Sequence, residues 1–356
     1  MRVVITGATG NVGTSVVERL AADDAITEIV GVARRPTTWS APKTRWITSD
    51  VAVDDLEPAF RDADAVIHLA WAFQPTHRPL ATWRNNVLGS TRVFDAVASA
   101  GVPVLVHASS VGAYSPRADS EPVDEHWPTH ALPTAAYGRE KSYVERVLDI
   151  FERDHPNVRV VRLRPAFIFK HGSAEAQRRL FVGPLLPNGV VRPELIPAIP
   201  DLPGLRLQAL HARDVAAAYH LAVTRDVRGA FNVAAEPVLG ARSLAELLDA
   251  RVVRLPRAIA RTALAVGWRM HLAPSTPDLL DLALSLPVMD TTRATSELGW
   301  RPDVDALTAV AEVLEGMRRG AGGRTPPLQT EAGGGLRHRE LRTGVGERGG
   351  VTDDDR

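Results

Sequence analysis

The chain has no cysteine. That excludes disulfides, thiolate-bound metals and cysteine nucleophiles, and it suits a reducing compartment. Neither sign of charge prevails, because 42 Lys+Arg stand against 42 Asp+Glu. This removes the bulk attraction on which nucleic-acid or anionic-membrane binding usually draws. No apolar run approaches the roughly 20 residues needed to cross a bilayer. The beginning does not read as a signal peptide, since the apolar run Val3–Ile5 gives way at once to Thr6 and Gly7. The expectation is a cytoplasmic protein with a small-molecule partner, without nucleic acid, membrane or metal. Lysine is scarce too: of the 42 basic residues, only Lys43, Lys141 and Lys170 are lysines. A motif that needs lysine gains weight from this, and one that needs arginine loses it.

What is present is the material of a globular protein. The chain has 356 residues, 45% hydrophobic and 24% charged, enough for about two domains. Short β-branched runs alternate with helical patterns. Strands are predicted at Val3–Ile5, Glu28–Ala33, Arg45–Thr48, Ala65–Leu69, Val102–His107 and Val158–Leu163, with helices over Val12–Ala22 and Asn86–Ala100. This alternation predicts an α/β fold, a doubly wound parallel sheet with helices on both faces. Residues 1–165, with 207–235 returning to them, form the expected nucleotide-binding domain. Residues 166–206 and 236–319 form a smaller mixed cap. It holds a proline-rich irregular stretch at 183–205 and helices at Leu244–Ala250 and Ala306–Met317. Residues 320–356 lose hydrophobic periodicity and read as a disordered tail.

Directly after the first strand stands Thr6-Gly7-Ala8-Thr9-Gly10-Asn11-Val12-Gly13. In a dinucleotide site the first glycine permits the tight turn. The second admits the pyrophosphate to the backbone, and the third lets helix and strand pack closely. The helix N-terminus then offers N–H groups and a positive dipole end to the phosphates. The acid expected about 20 residues on, which would hold the adenine ribose, is missing. Ala33-Arg34-Arg35 ends the second strand instead, and guanidinium groups there suit a ribose 2′-phosphate. The cofactor is read as NAD(P), with NADP favoured. Asp50-Val51, after the third strand, offers a carboxylate to the adenine amino group or caps the next helix.

Tyr137-Gly138-Arg139-Glu140-Lys141 is a YxxxK sequence in a helix-forming stretch. Residues four apart share a helix face, so an ammonium beside the phenol is expected to lower its pKa toward the working range. With four tyrosines and three lysines, about 0.03 such matches arise by chance in the whole chain. Ser109-Ser110 closes the fifth strand, where parallel sheets place ligands, and can orient a substrate oxygen for the tyrosine.

Several segments together carry a resemblance. They are TGATGNVG at 6–13, HLA at 68–70, NNVLGSTRVFDA at 85–96, SSVGAY at 109–114 and YGREK at 137–141, followed by RLRPAFIF at 162–169, HARDVAAAYHLA at 211–222 and LGWRP at 298–302. Over residues 1–318 the chain resembles the extended short-chain dehydrogenase/reductases of the NAD-dependent epimerase/dehydratase family. The resemblance implies a Rossmann domain in which Gly7, Gly10 and Gly13 hold the dinucleotide, with Asn11 and Val12 between them. Asp50 and Val51 would meet the adenine, Leu69, Ala70 and Asn86 would line the cofactor's path, and Ala166 would approach the nicotinamide. Ser110, Tyr137 and Lys141 would be the catalytic set, while His211 and Asp214 would be structural.

Departures from the family pattern bear on the reaction. Val111 and Gly112 replace the acidic pair of the sugar dehydratases, and the lack of cysteine removes the deoxysugar epimerase-reductases. The slot of the diphosphate-binding arginine holds Leu207, with Arg206 one residue off and so facing the opposite way in a strand. Trp71 and Phe73 would bring apolar surface to the nicotinamide. The sequence thus leaves open a sugar-type epimerase or oxidoreductase, an NADP-dependent reductase of a small or sterol-like ketone, and a non-catalytic NAD(P) sensor. A homodimer is left open as well.

Overall fold

A computed structural model describes residues 1–73, 77, 79–183 and 195–330. In chain order the first half comprises β1 (Arg2–Thr6), α1 (Asn11–Ala21), β2 (Glu28–Ala33), β3 (Thr44–Thr48), α2 (Glu57–Phe60), β4 (Ala65–His68), α3 (Pro79–Trp83), α4 (Gly89–Ser99), β5 (Val104–Ala108), α5 (Ala136–Asp154) and β6 (Arg159–Pro165). The second half comprises β7 (Phe167–Phe169), α6 (Ala174–Phe181), β8 (Ala198–Asp201), β9 (Leu207–His211), α7 (Ala212–Thr224), β10 (Gly229–Val233), β11 (Ala235–Leu239), α8 (Ala241–Leu247), β12 (Arg251–Arg254), α9 (Arg257–Arg269), α10 (Pro277–Ser285), α11 (Thr292–Ser296) and α12 (Ala306–Arg319).

Seven strands form one parallel sheet in the order β10-β6-β5-β4-β1-β2-β3. The strands read as continuous apolar runs because both faces are covered. Val3 and Ile5 face the core shared with α1 and α7, while Val4 faces the core shared with α4 and α5, and all three are fully buried. The chain leaves β1 in one direction to β2 and β3 and returns on its other side to β4. That reversal opens a crevice at the strand C-termini, where doubly wound sheets bind ligands.

The helix expected at Asn86–Ala100 begins as one π-turn at Arg84–Leu88 before α4. The helix expected at Leu244–Ala250 lies earlier, as α8, and Arg251 already begins β12. A mixed sheet of β11, β9 and β7 and a two-stranded sheet of β12 and β8 make the smaller part. Within the segment expected to return to the first domain, β9 pairs with β7 and β11, while β10 joins the large sheet. β8 and the start of the β9 approach lie in the proline-rich stretch, of which residues 184–194 fall outside the described residues.

The expected disordered tail needs correction over its first part. Gly320 ends α12 in the left-handed conformation, φ 63°, and the chain turns back across the molecule. The Thr325 hydroxyl, fully buried, donates to the Thr9 carbonyl at 2.7 Å. Arg179 donates to the carbonyls of Pro327 and Gln329, and Leu328 is buried. These partners come from residues far away in sequence, so local composition carried no sign of them. Residues 331–356 lie outside the described residues.

Candidate active site

A cavity of about 560 Å³ opens at the crevice. Its floor is the glycine turn, with Gly7, Gly10, Asn11, Val12 and Gly13 all in the lining. Packing demands the glycines. Gly7 has φ 74°, and a Cβ there would lie 2.7 Å from the Ala70 nitrogen; a Cβ on Gly13 would lie 2.4 Å from the Gly7 carbonyl oxygen. At the start of α1 no side chain caps the helix and no acid stands in the first turn. The Asn11 Oδ1 is buried without a partner. An uncapped helix end facing a cavity suits an anionic ligand, so the residues fit a dinucleotide pyrophosphate.

On one wall, Ser110 follows β5 and Tyr137 and Lys141 lie on the first turns of α5. Gly112 permits this arrangement, since a Cβ there would fall 2.8 Å from the Tyr137 ring. The Ser110 side chain stands beside the Tyr137 phenol. Lys141 Nζ donates to the Ala108 carbonyl at 2.7 Å and sits 3.4 Å above the centre of the Trp71 ring. Burial pushes the phenol up to about 12, against the pull of Ser110. Burial also pushes the lysine down to about 7, against Glu145 and Glu140. The lowering of the tyrosine expected from its neighbour is therefore absent here. Desolvation of both groups outweighs their interaction, and the ammonium is turned to a carbonyl and an aromatic face.

A buried ionic frame holds this wall. Glu145 on α5 is fully buried between Arg164 and Arg162 of β6, at 2.9 and 3.0 Å, and accepts from Ser109 at 2.5 Å. Burial raises its pKa, but the two arginines win and hold the carboxyl at about 2. Arg164 also donates to the Tyr114 hydroxyl, which donates to Asn232 Oδ1 on β10. The ends of β5, β6 and β10 are thereby fixed relative to α5.

The cavity gathers Ser110, Tyr137, Lys141, Leu69, Trp71, Phe73 and Ala166 with the glycine turn. It does not gather Arg34, Arg35, Asp50, Val51, Ala70 or Asn86 into its lining. Asn86 is buried and engaged, binding the Ala72 backbone at both ends of its amide and donating to Glu140 at 2.6 Å. It positions the loop that carries Trp71 and Phe73. Ala70 packs beneath Gly7, and Val51 packs beside Gly89. Asp50 accepts from the Ala52 N–H in its own turn. Arg34 donates to Asn85 Oδ1 at 3.1 Å, and Arg35 lies in the field of Arg34 and Arg179. His211 caps α7 and contacts Glu312, and Asp214 accepts from the Val304 N–H.

Residues 3–234 match the model of the NAD dependent epimerase/dehydratase family. The chain belongs to this family. It is 26% identical over 338 residues to the UDP-glucose 4-epimerase of Mycolicibacterium smegmatis, covering 89% of this chain and 99% of that one. It is 32% identical over 126 residues to the decarboxylating sterol-4-alpha-carboxylate 3-dehydrogenase of Saccharomyces cerevisiae, 34% of this chain and 35% of that one. With three of the curated relatives the match spans 35% to 51% of their length. The fold is shared with MoeE5 in complex with UDP-glucuronic acid and NAD, at TM-score 0.64 and 22% identity over 90% of this chain and 99% of that one. It is shared equally with the Thermus thermophilus UDP-glucose 4-epimerase complex with NAD, at 0.66 and 23% over 89% and 99%.

The cap side of the cavity is largely apolar. Phe73 meets the Tyr137 ring edge-on at 4.7 Å and the Phe181 ring at 5.6 Å. Leu180, Leu264, Leu279, Leu280 and Leu286 continue the apolar wall, and Leu207 faces the cavity. Arg206 is turned outward to the Ser120 carbonyl. Among the described residues, Lys141 is the one charged side chain in the lining. Sequence reasoning missed Gln177, Phe181, Leu264 and Leu328, which reach the cavity from α6, α9, and the returning C-terminal segment. Nothing in their local sequence marked them. Lys170 was also missed: its Nζ donates to Thr14 and Ser15 on α1 at 2.6 and 3.0 Å, joining β7 to the glycine turn's helix. The scarcity of lysine was the one signal pointing to it. No group of three His, Cys, Asp or Glu is placed to hold a metal, and no helix is long and apolar enough to cross a membrane, among the described residues.

Proposed function

We propose that the protein is an NADP-linked oxidoreductase that interconverts a secondary alcohol and a ketone on a largely apolar substrate. The apolar cap lining carries this reading, with leucine at 207 where a diphosphate-binding arginine would be needed. A nucleotide sugar would leave its diphosphate charges without a partner there, a heavy penalty in a low-dielectric cavity. Arg34 and Arg35, just past the end of β2, support a 2′-phosphate, hence NADP.

When bound along the glycine turn, the dinucleotide supplies or takes the hydride. The Ser110 hydroxyl orients the substrate oxygen. Tyr137 gives the proton to that oxygen in reduction and takes it in oxidation, and burial keeps the phenol in the protonated form from which reduction starts. Lys141 holds the ribose and the charge balance of the site, while Trp71 and Phe73 exclude water. A second reading, a nucleotide-sugar epimerase, draws on the full-length similarity to the M. smegmatis enzyme.

The two separate on stoichiometry. With excess hydrophobic cyclic ketone and NADPH, absorbance of the reduced nicotinamide is expected to fall in proportion to product. Interconversion of UDP-sugars with no net absorbance change would overturn the proposal. Tyr137→Phe is expected to lower turnover by about 100-fold or more while leaving dinucleotide affinity nearly intact. Unchanged turnover would remove Tyr137 from the catalytic set.

A further inference from the structure

The outer layer of the cap is a helix with no buried residue, α9. Its solvent stripe follows helical spacing: Ile259 is 57% exposed, Val266 52% and Met270, just past its end, 61%. Val252 and Val253 of β12 lie exposed in the same part of the cap. An exposed apolar stripe of this kind marks an interaction site. Between Asp249 and Asp278 the chain carries five arginines, at 251, 254, 257, 261 and 269, and no carboxylate. Arg257 and Arg261 are paired with Asp281 of α10 at 2.9 and 2.8 Å. Among the described residues no ion pair joins Arg251, Arg254 or Arg269 to an acid, and Asp201 of β8 stands in register with Arg254. The chain's zero net charge therefore hides a local positive, apolar face.

We infer that this face docks on an anionic phospholipid bilayer. The combination of an apolar stripe with flanking arginines matches a helix that lies in the headgroup plane, with basic side chains on lipid phosphates. A second copy of the chain is a poorer occupant, since a twofold contact would set the same unpaired arginines against each other. The inner side of the same helix supplies Leu264 to the cavity. α9 thus stands between a bilayer and the substrate chamber, as suits a substrate that dissolves in lipid. That last step rests on the apolar-substrate reading; the docking itself does not.

The test is co-sedimentation of the full chain with vesicles of phosphatidylglycerol and phosphatidylcholine in equal parts, beside vesicles of phosphatidylcholine alone. Binding is expected to the first and not the second, and to weaken with salt. Arg251→Gln and Arg254→Gln are each expected to weaken it about fivefold. The Val266→Asp/Met270→Asp double variant is expected to abolish it with thermal melting and dinucleotide affinity unchanged. Absence of vesicle binding, equal binding by the double variant, or a wild-type dimer that the double variant dissolves would each overturn the inference. Failure of the oxidoreductase reading would show separately, as no net nicotinamide oxidation with any ketone, and leaves the sedimentation result standing.

Discussion

Replacing Thr325 by valine keeps the side-chain shape and removes one hydroxyl. That hydroxyl is fully buried and donates to the Thr9 carbonyl at 2.7 Å, tying residues 321–330 to the glycine turn. Thr9 is itself buried, so its carbonyl loses this partner where water does not easily replace it. Leaving such an acceptor unsatisfied costs about 1–3 kcal/mol. If the segment opens as a local unit, its open population rises between roughly fivefold and 150-fold. Hydrogen exchange followed by mass spectrometry reads this directly at the Gly323 and Leu328 amides, which bond to the Leu328 and Thr325 carbonyls at 2.8 and 2.9 Å. Leu328→Ala removes a buried side chain and is expected to act at least as strongly, at about 2 kcal/mol. Gln329→Ala changes an exposed side chain and is expected to leave exchange unaltered. Equal exchange in wild type and Thr325→Val would refute the idea that this bond holds the segment down.

Other consequences are as direct. Gly13→Ala puts a Cβ 2.4 Å from a backbone oxygen, so α1 must shift, costing about 1–3 kcal/mol in thermal or denaturant unfolding together with weaker dinucleotide binding. Glu145→Gln leaves Arg164 in the core without its carboxylate, while Arg162 keeps Asp149 and Glu152, and is expected to cost on the order of 3–5 kcal/mol. Because Glu145 is held at about 2 when folded against 4.5 when free, its stabilisation is present above 4.5 and is lost as pH falls toward 2; the variant's acid-unfolding curve should be flatter over that window. Arg35→Asp is expected to raise the KM for NADP at least about tenfold and to change that for NAD little, a split measurable by initial rates. Equal effects on both cofactors would remove Arg35 from 2′-phosphate recognition.

The local signals proved informative where the chemistry is local. The turn Gly7–Gly13 needs bare Cα atoms whatever surrounds it, and Tyr137 and Lys141 share a face of α5 because four residues make about one helical turn. The β-branched runs of β1, β2, β4, β5 and β6 had to be covered on both sides. The cap was less legible. α9 and α10 are short amphipathic stretches whose inner residues are defined by one another and by α5, and the pattern around them is confused by arginines that pair across to Asp281. The ordered part of the C-terminal segment was illegible for the same reason, since its partners Thr9 and Arg179 lie more than a hundred residues away.

The sequence by itself determined the parallel sheet, the glycine turn at a helix start, and the adjacency of tyrosine and lysine, because each follows from backbone sterics or helical spacing. The tertiary structure decided the rest. It turned the Tyr137 pKa away from its expected sense, since burial is a property of the assembled site. It closed the cavity with apolar side chains from separate elements, and brought Thr325 to Thr9. Each of these depends on which distant residues share a dry interior, and the dielectric and contacts of that interior exist once the chain has folded.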